Sequence, residues 1–179
     1  MELLREIKRS QGIPREGATV YREAVRGIIL KDDKLLMIRS SLRGDYKFPG
    51  GGCLDGETQQ ETLIREIREE CGAVVTQIGA AFGKVTEYDH AEEPEFDVFK
   101  MTSFYYQCQV SQVFLHQILD DYEAVLGFEP VWIKVDTAIQ NNKTILNTQN
   151  YAEIFWLQRE SYILEEFKKR LFPDPETIE

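Results

Sequence analysis

Three glutamates, Glu66, Glu69 and Glu70, stand at i, i+3 and i+4 in the segment Leu63-Ile64-Arg65-Glu66-Ile67-Arg68-Glu69-Glu70-Cys71. On a helix that spacing sets all three carboxylates on one face. Like charges so placed destabilise an isolated helix by about 0.2–0.5 kcal/mol per pair. Two of them also fall in its last turn, where the helix dipole disfavours anions. A fold that accepts both penalties has reason to bring something positive to that face. Hard divalent cations such as Mg²⁺ or Mn²⁺ take oxygen ligands and leave coordination sites for phosphate and water. The same pattern also fits a solvated acidic face, neutralised by Arg65, four residues from both Glu61 and Glu69, and by Arg68. Helix chemistry alone leaves both readings open.

The elements that would mount these carboxylates are legible around them. Thr58 and Glu61 form a capping box, Leu63, Ile64, Ile67 and Cys71 recur at helical spacing, and Gly72 stands where a C-terminal cap belongs. Upstream, Phe48-Pro49-Gly50-Gly51-Gly52 is a glycine-rich loop. Before it, the apolar runs Ala24–Leu30 and Leu35–Ile38 flank Lys31-Asp32-Asp33-Lys34 and read as a β-hairpin. Strand-like composition returns from Val74, again over residues 98 to 110, and briefly at Val131-Trp132-Ile133. The stretch Tyr151 to Leu171, with Ile154, Phe155, Ile163, Leu164 and Phe167, reads as an amphipathic helix. The first dozen residues read as a short helix with Leu3, Leu4 and Ile7 on one side, ending near Gly12 and Pro14. Strands and helices mix without regular βαβ alternation, so the expected class is α+β with a mixed sheet.

Composition narrows the field. The 179 residues suffice for one domain with a sizeable core. The expected layout is an N-terminal helical extension over 1–18, one domain over 19–171 and a tail over 172–179. No apolar run approaches the roughly 20 residues of a membrane span, and the start does not read as a signal peptide. Cys53, Cys71 and Cys108 are odd in number and form no CxxC pair, which predicts reduced thiols in a cytoplasmic protein. A net charge of −10 disfavours duplex nucleic acid as a partner. It admits small phosphorylated ligands, because a divalent cation bridges carboxylates to phosphate oxygens.

Counting from Gly51, five residues lead to Glu57 and seven more to Arg65, followed by Glu66-Ile67-Arg68-Glu69-Glu70-Cys71-Gly72-Ala73. This pattern resembles the Nudix box: Gly, five residues, Glu, seven residues, Arg-Glu, an aliphatic, any residue, Glu-Glu, any residue, Gly, an aliphatic. Every fixed position matches, and Ala73 stands where the family usually has a bulkier aliphatic. The lead-in Phe48-Pro49-Gly50 fits as well. The resemblance to Nudix (MutT-like) hydrolases implies an α/β/α sandwich carrying the box as a loop–helix–loop. It implies a metal-dependent pyrophosphohydrolase that cleaves a phosphoanhydride bond in a nucleoside diphosphate linked to another moiety. Glu66, Glu69, Glu70 and the Gly50 carbonyl are then the metal ligands, with Mg²⁺ the expected ion and Mn²⁺ a substitute. Glu66, Arg65 and Glu57 are the catalytic candidates, with a structural Arg65–Glu57 ion pair as the equal alternative. The general base is either Glu66 or a carboxylate beyond the box, in the acidic stretches Glu87–Asp97 or Asp120–Glu123.

The box names the bond and leaves the rest of the substrate open. A nucleoside triphosphate, ADP-ribose or a dinucleoside polyphosphate all fit, and Arg39, Phe48 and Tyr88 are candidate substrate contacts. Dimers are frequent among similar proteins, so the N-terminal segment and the aromatic C-terminal stretch serve either a homodimer interface or the monomer core. The competing reading from another class is a Nudix-like domain that senses nucleotides without hydrolysis.

Overall fold

The computed structural model describes residues 1–14, 16–148 and 154–171. In chain order the elements are β1 (Leu3–Lys8), β2 (Thr19–Lys31), β3 (Lys34–Ser40), β4 (Tyr46–Lys47), α1 (Gln59–Cys71), β5 (Val75–His90), β6 (Val98–Val110), α2 (Asp121–Leu126), β7 (Phe128–Lys134), α3 (Val135–Leu146) and α4 (Leu157–Leu171). Parallel and antiparallel pairings coexist, so the class is α+β with mixed pairing, as the sequence predicts. The chain folds into two compact units, one of Met1–Ile29 with Pro49–Ile118 and one of Leu30–Phe48 with the chain from Leu119.

In the first unit the strand order is β1-β5-β6-β2, with β1 parallel to β5, β5 antiparallel to β6 and β6 parallel to β2. The helix expected over the first dozen residues is instead strand β1. Leu4 and Ile7 at i, i+3 suit a helical face, but pairing with β5 satisfies the backbone of Leu3–Lys8 and buries Ile7. Gly83, in β5, lets this happen: a Cβ there would lie 2.4 Å from Leu4 Cδ1. Helix α1 packs on the sheet through Ile67, which stands where a Cβ on Gly27 of β2 would be, only 2.7 Å away. Its capping box forms in full, with Thr58 accepting from the Glu61 N–H and Glu61 accepting from the Thr58 N–H, and Gly72 ends it at φ 67°.

In the second unit β3 pairs antiparallel with the end of β2, with β4 and with β7. The predicted hairpin turns at Asp32, which adopts φ 56°, a left-handed conformation that Asp tolerates better than most residues. Leu35, Leu36, Met37, Ile38 and Phe48 are fully buried with Leu157, Ile163 and Leu164 of α4. Asn142 of α3 accepts from the Tyr46 N–H and donates to the Tyr46 carbonyl, both at 2.9 Å, so its amide acts as an extra strand residue for the two-residue β4. The expected C-terminal helix begins at Leu157 rather than at residue 151. Ile154 and Phe155 precede it, and Tyr151 to Glu153 lie outside the described residues, as does the tail 172–179.

Buried polar groups set the fine structure here. Arg159 and Glu160 form an ion pair at 2.8 Å with side chains almost fully enclosed, and Glu160 also accepts the Phe48 N–H at 3.0 Å. Asp45 is buried and accepts from the Trp156 indole at 2.5 Å, while its other oxygen has no partner. Burial pushes the Asp45 carboxyl above its ordinary value, only partly offset by the Trp156 hydrogen bond. A carboxyl with a raised folded-state value favours folding most when protonated, so its contribution falls as pH rises through that value. Asp45→Asn keeps an acceptor for Trp156 and removes the buried charge. Its melting temperature should exceed wild type at pH 7 by a few degrees, about the effect of 1 kcal/mol in a chain this size, with the gain closing below pH 4. Thermal scans across pH 3–8 test this, and a lower midpoint at pH 7 would refute it.

Candidate active site

The segment Pro49–Cys53 lies along the free edge of β2. Val25 N–H donates to Gly51 O, Gly27 N–H to Pro49 O and Cys53 N–H to Glu23 O, all within 2.9 Å. So close an approach crowds the Cβ positions of Gly50 and Gly51. At Gly50, φ is 136° and a Cβ would fall 2.1 Å from the Val25 carbonyl oxygen. At Gly51 it would fall 2.3 Å from the Glu66 carboxyl. The loop is thereby seated directly against the acidic face of α1, and the Gly50 N–H donates to Glu70 Oε2 at 2.7 Å.

Arg65 binds the box together. Its Nε and Nη2 form a bidentate pair with Glu57 at 2.7 and 2.9 Å. Nη1 donates to Glu66 at 2.8 Å and to Glu69 at 3.0 Å, and Nη2 donates to the Gly52 carbonyl at 3.2 Å. These contacts engage every N–H of the guanidinium. Arg65 beside it holds Glu57 at about 2, and Glu57 also accepts from the Leu54 N–H and the Thr62 hydroxyl. Burial pushes Glu66 above the ordinary carboxylate value and the charge of Glu70 adds to the rise, with Arg65 and then Arg26 pulling it back.

The far end of α1 is held by a segment that local sequence gives no sign of. Ile118 N–H donates to Glu69 O at 2.8 Å, the Gln117 amide to Glu70 O at 2.5 Å, and Arg68 Nη1 to His116 O at 2.8 Å. The last carbonyls of the helix are therefore satisfied, and the two glutamates of its final turn stay on a fixed backbone.

The four metal-ligand candidates lie together in the first unit. Among the described residues no three acidic, His or Cys side chains already converge on one point, because Glu66 and Glu69 are drawn onto Arg65 and Glu70 onto the Gly50 N–H. The donor set nonetheless suits a hard divalent cation. It offers only oxygens, and one of its carboxylates, Glu66, is raised by burial and by the charge of Glu70, both of which a cation would relieve.

The substrate-contact candidates are dispersed. Arg39 is half-buried on β3 and paired with Glu129 at 2.8 Å. The Phe48 ring is fully buried. Tyr88, on β5, donates to Glu6 and lies beside the Lys100 ammonium. Of the acidic residues beyond the box, Glu87 is fully buried against Arg9, Asp89 accepts from Ser10, and Asp97 accepts from the Ala18 N–H. Asp120 and Glu123 form the capping box of α2. One residue of the site was missed from sequence. Arg26 is buried and its Nη1 donates to the Gly50 carbonyl oxygen. The available signal was a charged residue inside the apolar run Ala24–Leu30.

Comparison with known proteins agrees with this geometry. The NUDIX domain model matches residues 20–161. Over 54 residues the chain is 44% identical to an ADP-ribose pyrophosphatase of Methanocaldococcus jannaschii, covering 28% of this chain and 32% of that protein. Over 75 residues it is 35% identical to an RNA pyrophosphohydrolase of Nitratiruptor, covering 38% and 48% respectively. The matched segments thus span between a third and a half of these relatives. A NUDIX hydrolase from Nitrosomonas europaea superposes over 78% of this chain and 90% of its own with a TM-score of 0.52 at 19% identity, which shows a shared fold. With the domain matched across most of the chain and the box seated as described, the chain belongs to the Nudix family.

Proposed function

We propose that this protein is a metal-dependent pyrophosphohydrolase that hydrolyses a phosphoanhydride bond in a nucleoside diphosphate linked to a further group. The observation that carries the reading is the seating of the Gly50–Gly51 backbone against Glu66 and Glu70, with backbone 2.1 Å from a Cβ at Gly50 and the Glu66 carboxyl 2.3 Å from one at Gly51. A Mg²⁺ ion held by Glu66, Glu69, Glu70 and the Gly50 carbonyl would supply charge neutralisation for the diphosphate and acidify a water. The chain's own groups supply the rest. Arg65, with every donor engaged, acts on the substrate only through the carboxylates it orients. Glu57 acts one step further out, by fixing Arg65 and receiving the Leu54 N–H of the loop. Glu66, on the same helix face as Glu69 and Glu70, is the carboxylate within the box to take a proton from an attacking water. That step leaves a protonated Glu66 and a new oxygen–phosphorus bond as the bridging oxygen departs with its phosphate.

The named activities of the similar proteins, ADP-ribose pyrophosphatase, RNA pyrophosphohydrolase and 8-oxo-dGTP diphosphatase, set the substrate panel. They share a nucleoside attached to a diphosphate, which is also the part of the substrate that the box addresses.

Three outcomes are expected. Purified protein assayed with Mg²⁺ and with Mn²⁺ against ADP-ribose, nucleoside triphosphates including 8-oxo-dGTP, dinucleoside polyphosphates and triphosphorylated RNA should cleave one class well above the others, with chelation abolishing turnover. Nucleotide binding without turnover on any of them would support the sensor reading instead. Glu69→Gln should lower kcat by on the order of 10²-fold or more, the scale of removing one electrostatic contact to developing charge, while the circular dichroism spectrum stays that of wild type. An unchanged rate would discard the metal platform. Glu57→Gln, acting through Arg65, should cost less, about 10- to 100-fold, and a loss exceeding that of Glu69→Gln would contradict its indirect role.

A further inference from the structure

Arg26 is 8% exposed, and its surroundings do not account for its charge. Its Nη1 donates to the Gly50 carbonyl, and its Nε is buried without a hydrogen-bond partner. Glu66 lies close enough to feel the guanidinium, yet among the described residues no carboxylate oxygen is within ion-pairing distance of it. A buried cation is expensive unless paired, and a carbonyl oxygen offers only a partial charge. The other arginines of β2 and the box are differently placed, Arg68 donating to the His116 carbonyl. Arg65 is saturated by three carboxylates and a carbonyl, and Arg22 lies against the Phe99 ring.

The position of the unmet donor decides what would meet it. Gly50 is gripped on both sides of its backbone, by Glu70 at its N–H and by Arg26 at its carbonyl. That carbonyl is the backbone ligand proposed above for the metal, so a diphosphate held by the same metal would reach the guanidinium. The planar fork of arginine matches the non-bridging oxygens of a phosphoryl group better than any other side chain does.

We propose that Arg26 is a substrate-binding residue, whose buried Nε donates to a non-bridging oxygen of the diphosphate. This rests on the metal-dependent reading of the box. Arg26 then supplies a positive charge that the protein itself presents to the substrate, and it ties substrate occupancy to the position of the Gly50 loop.

Two calorimetric titrations on the intact protein separate this proposal from the reading beneath it. Mn²⁺ alone reports the carboxylate platform, and imidodiphosphate at saturating Mn²⁺ reports the diphosphate site. Arg26→Gln should weaken imidodiphosphate binding by about 10- to 100-fold, the range for a charge-assisted hydrogen bond, and leave Mn²⁺ affinity within about twofold of wild type. Arg26→Lys, which keeps the charge and is the better tolerated change, should recover part of the affinity. In steady state both variants should raise KM more than they lower kcat. Equal imidodiphosphate affinity in all three proteins would overturn the proposal. A parallel loss of Mn²⁺ and imidodiphosphate affinity would overturn it too, since Arg26 would then only hold the loop. Wild-type protein that binds no Mn²⁺ would overturn the function proposed for the box, and this role with it.

Discussion

Everything at the acidic face of α1 depends on how one guanidinium, that of Arg65, is shared. It reaches Glu57 from the loop, Glu66 and Glu69 from the helix, and the carbonyl of Gly52. Without it, three carboxylates on adjacent turns would repel one another at the end of the helix least able to tolerate them. The arrangement also fixes distance. Because Arg65 is anchored to Glu57 by a two-point contact, the carboxylates it holds cannot swing freely into solvent. A cluster of this kind loses less side-chain entropy per contact than separate pairs would, since one arginine is ordered once for several bonds. The residual cost is read in Glu66, whose burial and proximity to Glu70 raise its proton affinity.

That electrostatic knot works only because the backbone beside it is bare. The loop Pro49–Cys53 follows β2 as though it were another strand, but with glycine where Val25 and Glu66 press in. A methyl group at either Gly50 or Gly51 would have to displace backbone or the carboxylate itself. The loop is therefore rigid by exclusion as well as by hydrogen bonding. The helix is fixed independently, by its capping box at one end and by residues 115–118 at the other. Two separately anchored pieces thus meet at the Gly50 peptide, which suits a site whose chemistry tolerates little misplacement.

Helix α1 could be read from sequence because every signal that makes it is local: Thr58 and Glu61, the apolar spacing, Gly72. The hairpin at Asp32 was legible for the same reason. Strand β1 was not, because Leu4 and Ile7 satisfy a helical period equally well and only the pairing with β5, some eighty residues away, decides between them. Helices α2 and α3 were both missed: Lys134 offers α3 no side-chain cap, and the capping box of α2, Asp120 with Glu123, reads in sequence as an acidic stretch. The site divides along the same line. Its carboxylates and Arg65 announce themselves by spacing, while the contacts of Arg26 and Gln117 are made across long stretches of chain and leave no pattern.

For a chain of net charge −10, the proposed hydrolysis of a polyanion demands positive charge where the substrate lies. Surface lysines serve this less well, because their charge is screened by solvent. Of the arginines near the box, Arg65 spends all its donors inside the protein and Arg68 donates to a carbonyl of the 115–118 segment. Their role is to make an acidic face foldable. Arg26 differs, since it is enclosed, bonded to one carbonyl and still has a donor unmet. Holding a cation in that condition is costly for a folded chain. An anion drawn to the same place would repay the cost, and it would do so only when bound beside the Gly50 carbonyl. The separation of duties follows from electrostatics: one arginine neutralises the carboxylates permanently, and the other is left for the substrate.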